Sequence, residues 1–178
     1  MPAVRTILTE PNPILRRRSH EVETAAIATP EVQNAIADLK ATLAVSEDGI
    51  GIAAPQIGMP LRIFVVSEEA KFVESDVAPP KDKKWEYYVY INPLVAKFSQ
   101  KKVEAVEGCL SVPGKYGVVT RPEKISIEAY DEAGKKFKRG ASKFLARVIQ
   151  HELDHLDGIL FIDKVTRFVS VPQNESRL

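Results

Sequence analysis

One cysteine, Cys109, is all that 178 residues offer, so no internal disulfide can form and a secreted, disulfide-stapled scaffold is excluded. A lone thiol fits a reducing compartment. Charge of one sign is also missing: 25 Lys and Arg stand against 24 Asp and Glu, leaving a formal net charge of +1. No overall field therefore favours nucleic acid or an acidic membrane. No apolar run approaches the length of a membrane span, and Met1-Pro2-Ala3-Val4-Arg5 has no signal-peptide core and does not read as an amphipathic transit peptide. The expected home is the cytoplasm, most simply a bacterial one. There is no internal repeat and no low-complexity tract. What remains is 44% hydrophobic and 28% charged, the balance of an ordinary globular protein, and its length suits one domain over residues 1–178.

Apolar spacing predicts a first helix from about Pro30 to Ser46, with Thr29 as N-cap, Pro30 at the first helical position and Val32, Ile36, Leu39 and Leu43 on one stripe. Asp48-Gly49 breaks it. Leu61 to Val66 reads as a buried strand and Tyr88 to Asn92 as another, stopped by Pro93. The polar stretch between them, Ser67 to Trp85, reads as a surface loop. Lys124 to Tyr130 alternates, with Ile125, Ile127 and Ala129 on one face, and Lys135 to Lys138 returns after an Asp131 to Gly134 turn, so this is a hairpin. Ala141 to Leu156 is the strongest helix, ended by Gly158, and Val165 to Val171 is extended. Two helices among strands without regular alternation predict an α+β fold, a mainly antiparallel sheet packed around a central helix.

That helix carries His151-Glu152-Leu153-Asp154-His155, an H-E-x-x-H motif. Residues four apart share a helical face, so the two imidazoles converge on one point, and Glu152 lies close enough to reach a water there without being a ligand. The spacing offers two metal ligands and a general base. On the helical wheel the histidines lie at the rim of the apolar face, while Lys143, Arg147, Gln150 and Asp154 fall on the opposite arc. Two of the chain's three histidines stand in this spacing around a glutamate, which favours a metal site over two core histidines. A catalytic site usually adds a third protein ligand and an open position. Cys109, in Glu107-Gly108-Cys109-Leu110-Ser111, is the natural third, in a loop whose glycines suit close backbone approach.

Gly49-Ile50-Gly51-Ile52-Ala53-Ala54-Pro55-Gln56 matches G-x-G-x-x-A, a dinucleotide fingerprint, but that reading needs a strand before the glycines and a helix after. Here a helix precedes, prolines follow and a strand comes next. The stretch reads instead as a glycine-rich loop offering backbone groups to a ligand, with Gln56 as a side-chain donor.

Taken in order, these three stretches resemble the signature motifs of the peptide deformylases, G-x-G-x-A-A-x-Q, E-G-C-x-S and H-E-x-D-H. The resemblance runs from about Pro11 through Lys164, with a modest insertion in the Ser67 to Trp85 loop. It implies that Cys109, His151 and His155 ligate one divalent metal, Fe(II) first, with Zn, Ni or Co also suited to thiolate and imidazole. It implies Glu152 as catalytic acid/base, with the Gln56 side chain and the Leu110 N–H as oxyanion donors. It further implies that the backbone around Ile50, Gly51 and Gly108 holds the substrate extended. Phe144 and Val148 share the helical stripe of the two histidines, which makes them candidates for the wall of a methionine pocket. The implied reaction is hydrolysis of the formyl group from N-formylmethionyl nascent peptides, with the ribosome near its exit tunnel a candidate partner. Two departures stand out: Lys143 occupies a position where glycine is common, and the long charged C-terminal helix of some members is missing.

Two rivals frame the site. An H-E-x-x-H peptidase would take Glu175, twenty residues after His155, as third ligand. A non-catalytic binding module would use the metal as a staple, which usually requires four protein ligands, and His20 is the only histidine to spare.

Overall fold

Helix α1 (Pro30–Ala44) starts at the expected proline and stops two residues short of the expected end. Thr29 sits at its N-cap, but its hydroxyl donates backwards to the Ala26 carbonyl at 2.7 Å and does not cap the helix. The computed structural model describes residues 2–74 and 84–170. Within them, eight strands form two sheets: β1 (Gly51–Ala53), β2 (Ile63–Ser67), β3 (Tyr87–Phe98), β4 (Lys102–Glu107), β5 (Tyr116–Pro122), β6 (Lys124–Tyr130), β7 (Lys136–Ser142) and β8 (Val165–Val169). The larger sheet has the order β1-β2-β3-β6-β7 and the smaller β4-β5-β8. Every ladder is antiparallel. With helix α2 (Lys143–Leu156) this is the expected α+β fold.

The larger sheet is covered on both faces, which explains why β2 is a continuous apolar run. Phe64 and Val66 join Tyr90, Ile125, Ile127 and the α2 residues Leu145, Ile149 and Leu153 in one core. Ile63 and Val65 join Val89, Ile91 and the α1 residues Val32, Ile36 and Leu39 in another. Alternate side chains point to opposite faces of a strand, so a strand buried on both sides needs apolar residues at every position. A third cluster of Leu15, Val112, Val119, Leu160 and Phe161 underlies the smaller sheet.

Several strand and helix boundaries differ from the sequence reading. Proline does not stop β3, which continues to Phe98. Register against β6 slips between Ile91 and Leu94, where Asn92 takes φ +49°, so Pro93 sits in a bulge, where its missing N–H breaks no ladder bond. Asn92 is held there by its side chain, whose Oδ1 accepts from Val22 N–H (2.9 Å) and whose Nδ2 donates to the Val22 carbonyl (2.6 Å). Strand β2 begins at Ile63, not Leu61. Strand β7 runs on to Ser142, so α2 begins at Lys143 and not at Ala141. The β4–β5 hairpin had no assignment from the sequence, where only the Cys109 stretch between the two strands was read, as a loop.

The join between β7 and α2 has no connecting loop, and Lys143 takes φ +55° to make it. A side chain is disfavoured in that left-handed region, which gives a physical reason for the glycine common there. Gly158 ends α2 at φ +74°, and a Cβ on it would lie 2.6 Å from the Arg16 carbonyl oxygen. The expected loop from Ser67 is in part a single 3-10 turn, Glu68–Lys71, and its centre lies outside the described residues. So does Val171, beyond the extended tail that forms β8. No helix among the described residues is long and apolar enough to cross a membrane.

Candidate metal centre

His151 and His155 project from one face of α2, their rings 4.9 Å apart between centroids and tilted by 71°. Cys109 comes from the turn that joins β4 to β5. There Val112 N–H closes back on the Cys109 carbonyl at 2.9 Å, and Ser111 N–H points at the Sγ from 3.4 Å. The thiol sulfur ends 3.2 Å from His155 Nε2. One sulfur and one nitrogen from each imidazole lie within 4.8 Å of one another. A sulfur and two imidazole nitrogens this close converge on a common point that a divalent ion would suit.

Burial alone would keep the Cys109 thiol protonated. The charge of His155 and hydrogen bonding with both histidines outweigh it and hold the thiol well below its ordinary value. His151 shows the converse: burial disfavours its charge, yet bonds to Cys109 and Glu107 raise it well above the usual histidine range. Thiolate character is what a metal ligand needs.

Behind the histidines stands a group that the sequence reading quoted and gave no role. Glu107, buried at the end of β4, accepts from His151 Nδ1 at 3.1 Å, leaving Nε2 to face the centre. Arg121 grips the same carboxylate through Nε (2.6 Å) and Nη2 (2.8 Å), and Arg147 adds a bond at 2.7 Å. Burial favours the neutral acid, but Arg121 and His151 outweigh it and hold Glu107 well below the usual carboxylate range. Arg121 reaches on to Asp154 at 2.8 Å. The signal was available in principle, since a metal-ligating histidine needs an acceptor for its second nitrogen. Arg147 and Gln150, assigned to the arc opposite the apolar face, are themselves buried. The smaller sheet covers that arc and offers it carbonyls and a carboxylate, as Gln150 shows by donating to the Pro122 carbonyl at 2.9 Å.

Glu152 faces the centre from beside His151, 3% exposed. Its Oε2 is buried and has no hydrogen-bond partner among the described residues. Burial raises its pKa to about 7, against the pull of the two histidines. Its carboxylate lies over Gly51, where a Cβ would come within 2.6 Å of Oε1. Gly51 belongs to β1, so part of the expected loop is an edge strand that pairs with β2 on one side only.

Gln56 sits in the 3-10 turn Ala54–Ile57 that follows β1, 2% exposed. Its Oε1 accepts from Ala53 N–H at 2.8 Å, which turns the amide nitrogen toward Ser111 Oγ (3.1 Å) and Cys109 Sγ (3.8 Å). A cavity of about 250 Å³ opens at this point. The sequence-selected residues Ile50, Gly51, Gly108, Leu110, Phe144 and Val148 line it, together with Gln56, Cys109, His151 and Glu152. Glu175 lies outside the described residues.

A family model described as polypeptide deformylase matches residues 4–170. The peptide deformylase of Thermomicrobium roseum is 40% identical over 163 residues, covering 92% of this chain and 86% of that protein. Peptide deformylase 1A, chloroplastic/mitochondrial, of Arabidopsis thaliana is 34% identical over 89% of this chain, which spans 60% of that protein's length. Among solved structures, a peptide deformylase from Legionella pneumophila is 37% identical, with a TM-score of 0.77, over 92% of this chain and 87% of its own. A Met-Ala-Ser-bound class I type b peptide deformylase from Acinetobacter baumannii is 28% identical, with a TM-score of 0.79, over 93% of this chain and 100% of its own.

Proposed function

Because this chain belongs to the polypeptide deformylase family, whose reaction removes the N-formyl group from nascent polypeptides, we propose that Cys109, His151 and His155 hold one divalent metal and that Glu152 moves the proton in that hydrolysis. Residues 1–178 act as one catalytic domain. The observation that carries this reading is the convergence of the three donor atoms within 4.8 Å, beside a buried carboxylate, at a cavity that Cys109, His151 and Glu152 line.

An amide is a poor electrophile and water a poor nucleophile at neutral pH. A divalent ion held by Cys109, His151 and His155 would lower the pKa of a water and polarise the formyl carbonyl. The chain supplies the rest. Glu152, in contact range of the cavity and unpartnered at Oε2, takes the proton of the attacking water and delivers it to the leaving amine. Gln56 Nε2 and the Leu110 N–H stabilise the oxyanion, the amide already turned by its bond from Ala53. Ile50 and the edge of β1 at Gly51, with Gly108 in the same cavity, hold the N-formylmethionyl peptide extended, and Phe144 and Val148 wall the methionine side chain.

A thiolate with two imidazoles suits Fe(II), our first choice, and also Zn, Ni or Co. The substrate arises at the ribosomal exit tunnel, which makes the ribosome the proposed partner and the bacterial cytoplasm the proposed place. The peptidase alternative loses ground because Cys109 Sγ already stands 3.2 Å from His155 Nε2. Turnover of formyl-Met peptides, with metal content measured on protein purified without oxygen, tests the proposal. Cys109→Ala should lose both metal and activity, whereas normal metal binding by that variant would place the third ligand elsewhere. Gln56→Ala should keep metal and lose about 10²–10³ in kcat, and a change confined to KM would make Gln56 a binding residue instead.

A further inference from the structure

We infer that Arg147 is a positioning residue for the metal centre, acting through Glu107 on His151. The inference rests on the metal reading above. Arg147 lies one helical turn before His151 on α2, and both side chains turn to the same carboxylate. Arg147 Nη1 donates to Glu107 Oε1 at 2.7 Å and to the Val119 carbonyl at 3.0 Å, and Nη2 donates to the Val103 carbonyl at 3.0 Å. Those carbonyls belong to β5 and β4. The guanidinium is thus fixed to the hairpin that carries Cys109, and it is 6% exposed.

Two effects follow at His151. Glu107 Oε1 accepts from Arg121 and Arg147, while Oε2 accepts from Arg121 and His151. A carboxylate anchored by two guanidiniums holds Oε2 in place against His151 Nδ1, which fixes the ring with Nε2 toward the centre. The second effect reaches Cys109. Glu107 stands two residues before Cys109, so a carboxylate pinned by Arg147 fixes the thiol relative to the imidazoles on α2. A planar fork that spans a carboxylate and two carbonyls suits arginine and not lysine.

The bland alternative is that Arg147 only staples α2 to the hairpin. Co(II) is the probe that separates them, because its visible absorption reports ligand geometry and strength whereas a melting midpoint reports the staple. Wild type, Arg147→Met and Arg147→Lys are loaded with Co(II), and its dissociation constant is read by competition with a chelator. Arg147→Met should bind Co(II) about tenfold more weakly, the lower end of what an outer-shell loss produces, with a shifted visible band. Loaded with metal, it should show reduced kcat toward a formyl-Met peptide at unchanged KM. Arg147→Lys, whose ammonium cannot reach Glu107 and both carbonyls at once, should fall between the two in affinity and spectrum. If Arg147→Met does not fold, Arg147→Lys decides. A folded variant of either kind with a lowered melting midpoint but wild-type Co(II) affinity and spectrum would overturn the inference. Failure of the wild type itself to take up Co(II) would remove the metal reading instead.

Discussion

Helices α1 and α2 have 15 and 14 residues and pack on opposite faces of the same five-stranded sheet. They treat polar atoms differently. The buried polar groups of α1 are Asp38 and Thr42, and both are satisfied. Asp38 accepts from Ala3 N–H and Arg5 Nε at 2.7 Å each, while Thr42 donates to the Asp38 carbonyl at 2.7 Å and accepts from Arg5 N–H at 2.9 Å. Helix α2 buries Arg147, Gln150, Glu152 and His155 and leaves Glu152 Oε2 and His155 Nδ1 without partners among the described residues. A buried polar atom without a partner costs about 1–3 kcal/mol. The contrast fits the proposed roles, with α1 as scaffold and α2 as the element that bears the candidate site.

Three perturbations sharpen that contrast. The largest is Glu152→Gln, which should lower kcat by about 10²–10⁴ while metal content holds and the melting midpoint stays level or rises, because a neutral amide is easier to bury than a carboxylate. A loss of stability parallel to the loss of activity, by calorimetry, would break the distinction. Leu39→Ala on α1, where the side chain is fully buried, should do the reverse. It should lower unfolding free energy in urea by about 2–5 kcal/mol and leave kcat of the folded enzyme unchanged. The smallest effect concerns acid. Burial would raise the Asp38 pKa, but the bonds from Ala3 and Arg5 outweigh it and set the pKa below its ordinary 3.8. A depressed folded-state pKa gives stability that is present above 3.8 and lost as pH falls below it. Asp38→Asn should flatten that part of the urea-midpoint profile against pH, and an unaltered profile would show that the N-terminal strap is held by other means.

The fold class and the residues of the candidate site were both legible, the exact element boundaries and the supporting groups less so. His151, Glu152 and His155 declare themselves because helical spacing converts directly into a shared face, and Cys109 stands out as the chain's one thiol. Both helices were legible within two residues of each end. Glu107 and Arg147 were not, because their contacts are with partners distant in sequence: Glu107 is 44 residues from His151 and 40 from Arg147. The wheel placed Arg147 correctly around the axis, but it could not show that the smaller sheet covers that arc. Pro93 misled for a similar reason, since a bulge is a property of two strands and only one was in view. The short β1 strand passed for a loop because three residues carry too little alternation to reveal a period of two.

The working atoms are gathered from stations far apart along the chain. Gln56 lies 53 residues before Cys109, and Cys109 lies 46 before His155. Chain order therefore becomes an order in time. During synthesis the proposed oxyanion donor Gln56 emerges first, the thiol later, and the helix bearing both imidazoles and Glu152 after them. A chain that stops before His155 would therefore carry some of the proposed ligands without a complete site.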